Sequence, residues 1–448
     1  MKDVYNILLE RGFILQVTEE EPLRDRLQNS STHFYIGFDP TADSLHVGSL
    51  VPIMAMMHMQ RQGHLPIVLI GGGTGLIGDP SGKTEMRQLL TRQQVDGNAL
   101  SLQRQLARYI DFQDDKACLL NNVDWLTKLN YIEFLRDIGK HFSVNKMLAA
   151  ESYRIRLEKG LNLIEFNYML LQAYDFLHLF NSHNCLLQMG GNDQWGNILA
   201  GIDLIRRVKS KVAYGVTFPL LVTSRGHKMG KTEKGTLWLD PLRTAPYEYY
   251  QYWINTDDAD VERFLALFTF LPMEEIRAVR GMTGVEMNLA KVVLAFEATK
   301  ITHGEQAALG AFAKTAQLFG PRSVPAVLLP SSTIPRAAVM ENAHLMLSPP
   351  ALTASGTFSL PLIERVRLEA GIPAFELFHE ANLCASRSEA RRLLVQGGAY
   401  VNGRQIANID AIITANDINS EGNILLRKGK KIYLTVAVID GKNFQKNA

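Results

Sequence analysis

The sequence has little that would place it outside the globular, water-borne class. Its 448 residues include three cysteines, Cys118, Cys185 and Cys384, far apart and without a CxxC pair. That excludes a disulfide framework and a cysteine-based zinc site, and reads as buried free thiols. Long hydrophobic runs are missing too. The longest, 65–77, is interrupted by four glycines and a threonine, short of the roughly 18 apolar residues a membrane helix needs. No membrane span is expected. Positions 1–11 carry Asp3 and Glu10 and no apolar core segment, so no secretory or transit segment is readable and a cytoplasmic location is expected. An excess of one charge is also lacking: the net charge is +2, which alone does not mark a nucleic-acid binder. What is present is apolar material, 46 % of residues, enough for packed cores and, at this length, for two to four domains.

The charge is unevenly spread. From Pro361 onward there are twelve Lys and Arg against nine Asp and Glu, while the remainder is near balance. Just before that point, 321–361 holds seven of the 17 prolines with serines and threonines between them. This composition reads as a linker, with a long ordered loop as the alternative. Upstream, 33–38 is strand-like, 50–62 is helical and stops at Gly63, and 67–70 is strand-like and runs into Gly71, Gly72 and Gly73. Strand, glycine turn and helix in alternation predict a parallel α/β sheet, with ligands taken where loops leave the carboxyl ends of strands. From 256 the pattern turns helical, with Asp257 and Asp258 as candidate caps before 261–270. Beyond the proline-rich stretch, Ser386 and Glu389 have capping-box spacing ahead of a helix containing Arg387, Arg391 and Arg392, followed by a strand-like Tyr400 and Val401. A small third unit is expected there.

Three segments are candidates for chemistry. GLIGDPSGKT (75–84) looks like a P-loop, but Gly78 and Gly82 enclose three residues where the motif needs four. It remains a glycine turn after a strand, with Asp79 and Lys83 at its mouth, or merely a tight turn with solvated charges. FDPTADSLHVGS (38–49) leads from the first strand into the helix, whose free N–H groups suit a phosphate. His46 would place an imidazole there, and Gly48 would let a base pack on backbone; a capping histidine is the plain alternative. GHKMGKTEKG (226–235) sets Lys228, Lys231 and Lys234 between glycines, a loop that can fold over an anion, or a solvated basic loop.

Taken together, the His-x-Gly segment and the Lys-Met-Gly-Lys-Thr loop some 180 residues later resemble the paired signatures of class I aminoacyl-tRNA synthetases. YIGFDPTADS (35–44), EFNYMLLQAYD (165–175), QMGGNDQWGN (188–197) and APYEYYQYW (245–253) narrow this to the bacterial-type tyrosyl-tRNA synthetase family, over essentially the whole chain. The resemblance implies an α/β, Rossmann-like parallel-sheet catalytic domain at 1–222, with a dimer-contact insertion near 123–161. A mobile lysine-loop connector (223–245), an α-helical tRNA-binding domain (246–320), a proline-rich linker (321–360) and a small S4-like α+β RNA-binding domain (361–448) would follow.

The implied reaction joins L-tyrosine to ATP, releases pyrophosphate, and passes the tyrosyl group to the 3′ end of tRNA(Tyr). By resemblance His46, Lys83, Arg87, Lys228, Lys231 and Thr232 are catalytic, neutralising charge that develops on the phosphates. Gly37, Asp39, Thr41, His46, Ser49, Gly191, Asp193 and Lys231 would hold ATP. Ser49 stands where many relatives have histidine, and its hydroxyl can donate or accept at the ribose. Tyr35 and Asp175 would read the phenol, with Asp79, Tyr168, Gln172 and Gln188 around the α-amino end. Tyr168, Gln172 and Asp175 are spaced four and three apart, one helix face, which a capped polar stripe would also show. A site built for a hydroxyl leaves polar groups unpaired with phenylalanine, behaviour for which this family is itself the standard case.

The family's remaining implications concern partners. Arg387, Arg391, Arg392, Arg404 and the basic run 427–431 would contact RNA. The enzyme would be a homodimer, with Trp125, Tyr131, Phe134 and Phe142 either in the subunit contact or in ordinary core. Mg²⁺ would arrive with ATP, since no dedicated carboxylate cage is readable, and no tightly bound metal or organic cofactor is implied. Competing readings are a tryptophan enzyme or a small-molecule adenylyltransferase of the same superfamily, and a non-catalytic RNA-binding relative. Tyr35 with Asp175 argues against tryptophan. The C-terminal unit argues against the adenylyltransferase, and the intact motifs against the last.

Overall fold

The computed structural model describes residues 3–81, 90–158, 160–226, 229–232, 235–319, 323–336, 362–381, 383–384, 386–406, 408–419, 422–429 and 432–439. The chain forms two compact units, Met1–His344 and Leu345–Ala448. In the first, strands β1 (Gln16–Val17), β2 (His33–Phe38), β3 (Leu65–Ile70), β4 (Cys118–Asn121), β5 (Cys185–Gly191) and β6 (Tyr214–Phe218) form one sheet in the order β1-β6-β5-β2-β3-β4. All neighbours are parallel except β1, which runs antiparallel to β6. Apolar residues run almost unbroken through β3, where 66–70 are all buried, because helices cover both faces of a parallel sheet. Strand order reverses between β2 and β5, which opens a crevice at their carboxyl ends. Tyr35 and Gln188 are register partners across that seam.

Two helices carry side chains to this crevice. Leu50–Arg61 enters through a 3-10 turn, Val47–Ser49, and gives way at Gly63, whose φ is +89°. The 21-residue helix Leu163–His183 starts at a reciprocal capping box between Asn162 and Glu165 and stops at Asn184 in the left-handed conformation. Its face holds Tyr168, Gln172 and Asp175 over the sheet edge.

The helices of 246–319 lie in the same compact unit as the sheet, and one continuous hydrophobic core joins them to it. Trp253 packs on Phe268 at 4.9 Å between ring centres, and Phe268 on Phe264 at 5.8 Å. The Arg11 guanidinium donates to the carbonyls of Ala266, Thr269 and Leu271 at 2.9, 3.0 and 2.6 Å, satisfying the C-terminal end of helix Asp258–Phe268. Asp257 takes the cap position of that helix, but its side chain makes no capping bond. Part of the proline-rich stretch differs from a free linker. Residues 323–336 fold onto the helices, with Leu328, Leu329 and Ile334 buried, Glu297 accepting from Ser332 and Thr333, and Arg336 donating to the carbonyls of Pro325, Leu328 and Leu329. Apolar residues between the prolines and satisfied backbone groups account for that order. The rest of the expected linker, 321–322 and 337–361, lies outside the described residues.

The second unit is a mixed sheet ordered β12-β11-β14-β15-β9, formed by β9 (Leu362–Glu364), β11 (Ala399–Val401), β12 (Arg404–Ile406), β14 (Asn423–Lys428) and β15 (Ile432–Ile439). The short strands β10 (Ile372–Pro373) and β13 (Ile412–Ile413) pair separately. Helix Arg387–Val395 begins with Ser386 Oγ accepting the Glu389 N–H at 3.2 Å, and buries Ala390 and Leu394 against Leu377, Phe378 and Leu426.

Candidate active site

A cavity of about 480 Å³ opens at the reversal between β2 and β5. It is lined by thirteen residues singled out in the sequence, contributed by β2 and the turn after it (Tyr35, Gly37, Asp39, Thr41, His46, Ser49), by Asp79, by the helix (Tyr168, Gln172, Asp175), and by β5 and its turn (Gln188, Gly191, Asp193). A second cavity, about 810 Å³, lies beside it between 141–152 and helix Trp195–Lys209. It is larger but mainly apolar, and the convergent buried polar groups belong to the first.

At the floor, Asp175 is fully buried and both its oxygens are occupied. Trp125 Nε1 donates to Oδ1 at 2.7 Å and Asn122 Nδ2 to Oδ2 at 2.8 Å. Burial pushes this carboxyl up to about 7, while those two donors pull it down and Asp39 adds a smaller upward push. Beside it, Tyr35 Oη and Gln188 Oε1 are buried without a hydrogen-bond partner among the described residues. Burial, then the charge of Asp175, holds the Tyr35 phenol well above its usual value. Such groups call for a ligand that both donates and accepts.

Further along, Tyr168 Oη donates to Asp39 Oδ2 at 2.8 Å and Thr74 Oγ1 to Asp39 Oδ1 at 2.7 Å. Gly71 must lack a side chain here, since a Cβ would fall 1.9 Å from Asp39 Oδ1. Asp79 accepts from the Ser81 N–H at 2.9 Å and from Gln194 Nε2 at 2.7 Å, and burial lifts it to about 6. Gln172 Oε1 accepts from Asn197 Nδ2 at 3.0 Å. Four carboxylates, Asp39, Asp79, Asp175 and Asp193, thus face one cavity, a setting that favours an ammonium group.

At the other end, His46 Nδ1 accepts from the Gly48 N–H at 3.0 Å, so the neutral ring carries its proton on Nε2 as a donor. The expectation of a bare helix N-terminus for phosphate needs correction. The Ser49 and Leu50 N–H groups turn back on the carbonyls of His46 and Val47, because the chain enters by a 3-10 turn that uses them. The lysine loop reaches this segment directly. Val47 N–H donates to Leu237 O at 3.0 Å and Leu239 N–H to Leu45 O at 2.9 Å, so the strand leaving the loop is paired with the His46 segment. Lys231 and Thr232 form β7, paired with β8 (Gly235–Thr236). Gly230 has φ +86°, and a Cβ there would meet Val47 at 2.7 Å, so glycine is required. Lys83, Arg87 and Lys228 lie outside the described residues.

Sequence reasoning missed Asn122 as a pocket residue and read Trp125 as subunit contact or core. Trp125 does pack against the core cluster that holds Tyr35 and Phe176, and it also donates to Asp175 and stacks on His178, ring centres 4.3 Å apart. The available signal was position: Asn122 and Trp125 directly follow β4, at its carboxyl end. Thr74, Gln194 and Asn197 were likewise missed, each inside a quoted motif or next to one.

Among the described residues no three His, Cys, Asp or Glu side chains are grouped to hold a metal ion, and no helix is long and apolar enough to cross a membrane. In the second unit, Arg391 and Arg392 are exposed and Arg391 lies 4.2 Å over the Phe375 ring, whereas Arg387 pairs with Glu376 at 2.7 Å and Arg404 with Asp417 at 3.0 Å.

A family profile described as "tRNA synthetases class I (W and Y)" matches residues 27–320, and one described as "Tyrosine--tRNA ligase SYY-like C-terminal domain" matches 361–436. The chain is 61 % identical over 440 residues to a tyrosine–tRNA ligase of Syntrophus aciditrophicus, covering 98 % of this chain and 99 % of that one. It is 50 % identical over 438 residues to one from Clostridium botulinum, covering 98 % and 100 %. A C-terminally truncated mitochondrial tyrosyl-tRNA synthetase of Aspergillus nidulans matches in structure with a TM-score of 0.64 at 31 % identity, covering 71 % of this chain and 95 % of that one. By profile, by identity along nearly its whole length and by the sheet that positions its cavity, the chain belongs to the tyrosine–tRNA ligases within the class I tRNA synthetases.

Proposed function

We propose that the cavity activates L-tyrosine with ATP, releasing pyrophosphate, and that the chain then transfers the tyrosyl group to the 3′ end of tRNA(Tyr). The observation that carries this is the floor of the cavity: an Asp175 carboxylate held by two donors, beside a Tyr35 hydroxyl without a partner among the described residues. A phenol donates to the first and accepts from the second. Phenylalanine does neither, and an indole N–H donates without accepting.

The α-ammonium sits among Asp79, Tyr168 and Gln172, with Gln188 alongside. The tyrosine carboxylate attacks the α-phosphorus of ATP, the bond to pyrophosphate breaks, and no bond to the protein forms. Gly37, Asp39, Thr41, Ser49, Gly191 and Asp193 hold the nucleotide, and His46 donates from Nε2 to a phosphate oxygen. Lys83, Arg87, Lys228 and Lys231, by family match, neutralise pyrophosphate as charge builds, and the Thr232 hydroxyl donates to it. Mg²⁺ enters with ATP as part of that substrate. Arg387, Arg391, Arg392 and Arg404 contact the tRNA, with Arg391 and Arg392 the stronger candidates because carboxylates compete for the other two.

A homodimer is supported by the large apolar side chains exposed along one stretch of chain, Tyr131 and Ile132 at 65 and 70 % and Leu163 at 72 %. A cytoplasmic site of action accompanies this reading. The test is aminoacylation of total tRNA with tyrosine, tryptophan and phenylalanine in turn. The reading requires charging by tyrosine alone, and charging by tryptophan or by none would overturn it.

A further inference from the structure

Tyr153 is buried and does not line the cavity, although the charge of Asp79 acts on it. Its hydroxyl reaches the backbone of helix Leu163–His183 instead, donating to Phe166 O at 2.9 Å and accepting the Met169 N–H at 3.2 Å, with Glu165 O at 3.4 Å. In a regular helix the Met169 N–H would serve Glu165 O, so the hydroxyl stands at that rung of the ladder. Side chains inserted at a rung set the local direction of a helix.

The same turn is gripped a second time. Arg156 Nε and Nη2 donate to Glu165 Oε1 and Oε2 at 3.2 and 2.8 Å, both side chains almost wholly buried, and Arg156 also donates to Gly160 O at 3.1 Å. Glu165 in turn accepts the Asn162 N–H that starts the helix. A buried, bidentate pair is specific in geometry, whatever its net stabilisation. Tyr168 is the residue immediately before Met169, and its hydroxyl reaches Asp39 at 2.8 Å. Gln172 follows one turn later.

We propose that Tyr153, with the Arg156–Glu165 pair, is a positioning element for the tyrosine pocket. It fixes the direction of the first turns of helix Leu163–His183 and thereby the placement of Tyr168 and Gln172. This rests on the reading of those two residues as tyrosine contacts. The element acts mainly on amino-acid affinity, because His46 and the lysine loop hang from other parts of the fold and the Tyr168–Asp39 hydrogen bond is its link to the nucleotide end.

The experiment is pyrophosphate exchange with tyrosine and ATP varied separately, on the full chain and on Tyr153→Phe, Tyr168→Phe and their combination. Losing the Tyr153 hydroxyl's two neutral hydrogen bonds, after which the Met169 N–H can turn to Glu165 O, raises KM for tyrosine about threefold to tenfold, with KM for ATP and kcat within about twofold. The combined variant then rises by less than the product of the two single rises, since Tyr153 acts in part through Tyr168. A lowered Tm with unchanged KM for tyrosine, or strictly additive effects, overturns the proposal. Arg156→Met with Glu165→Gln removes both buried charges together and keeps the volume. The same selective rise in KM is expected of it, and its absence counts equally against the proposal. Absence of tyrosine-dependent exchange in the unaltered chain overturns the underlying reading itself, which separates the two failures.

Discussion

Asp175 carries a stability signature that can be worked out from its surroundings. Burial lifts its carboxyl from 3.8 to about 7, so the folded chain binds that proton about three units more tightly, ~4 kcal/mol at ~1.36 kcal/mol per unit. For a carboxyl raised on folding, stability is whole below about pH 4, falls as pH rises through about 7, and is level above. Asp175→Asn removes that loss. It also brings a penalty, because both Asp175 oxygens accept N–H groups and an amide can accept on only one side. The amide NH₂ then faces a donor, at a cost of about 1 to 3 kcal/mol. The variant should therefore be about 1 to 3 kcal/mol less stable than the parent at pH 4 and about 1 to 3 kcal/mol more stable at pH 8, with the sign changing near pH 5. Urea unfolding read by tryptophan fluorescence measures this, since all four tryptophans, Trp125, Trp195, Trp238 and Trp253, lie in the first unit. Other titrating groups cancel in the difference, at one fixed protein concentration. A difference independent of pH, or one of opposite sign, refutes the reasoning.

Trp125→Phe removes a donor to a charged acceptor, worth about 1.5 to 3 kcal/mol, so kcat/KM for tyrosine should fall about 10- to 100-fold with KM for ATP unchanged. Equal losses for both substrates would contradict the placement of Trp125 at Asp175. With Asp79 lifted to about 6 and Asp175 to about 7, kcat/KM for tyrosine should decline as pH drops through that range and level off above it. A profile flat from pH 5 to 8.5 would contradict it. Replacing Arg391 and Arg392 together by Ala should weaken tRNA binding and make log Kd against log salt shallower by about 1 to 2, with pyrophosphate exchange intact. An unchanged salt slope would move the RNA surface elsewhere.

Strands β2 and β3 were legible because strands covered on both faces are written as apolar runs, and β3 runs straight into Gly71, Gly72 and Gly73. Tyr168, Gln172 and Asp175 were legible because helical periodicity places them on one face. What local pattern could not reveal lies in long-range approach. Asn122 and Trp125 meet Asp175 across some fifty residues of chain, and only their place after β4 hints at a pocket. The 3-10 entry that consumes the Ser49 and Leu50 amides depends on how 237–239 pairs with 45–47, again a distant partner. The proline-rich stretch looked like a linker by composition, while its first part is held by Glu297 and by Arg336, whose partners are carbonyls brought near only by the fold. Lys83, Arg87 and Lys228 rest on their motifs and the family match alone.

The most direct test of phenol recognition by Tyr35 and Asp175 is amino-acid-dependent exchange of pyrophosphate into ATP, without tRNA, comparing tyrosine with phenylalanine and tryptophan. The account predicts exchange with tyrosine and a far lower kcat/KM for the other two. Phenylalanine or tryptophan supporting exchange as well as tyrosine, in folded protein supplied with Mg²⁺, would contradict it.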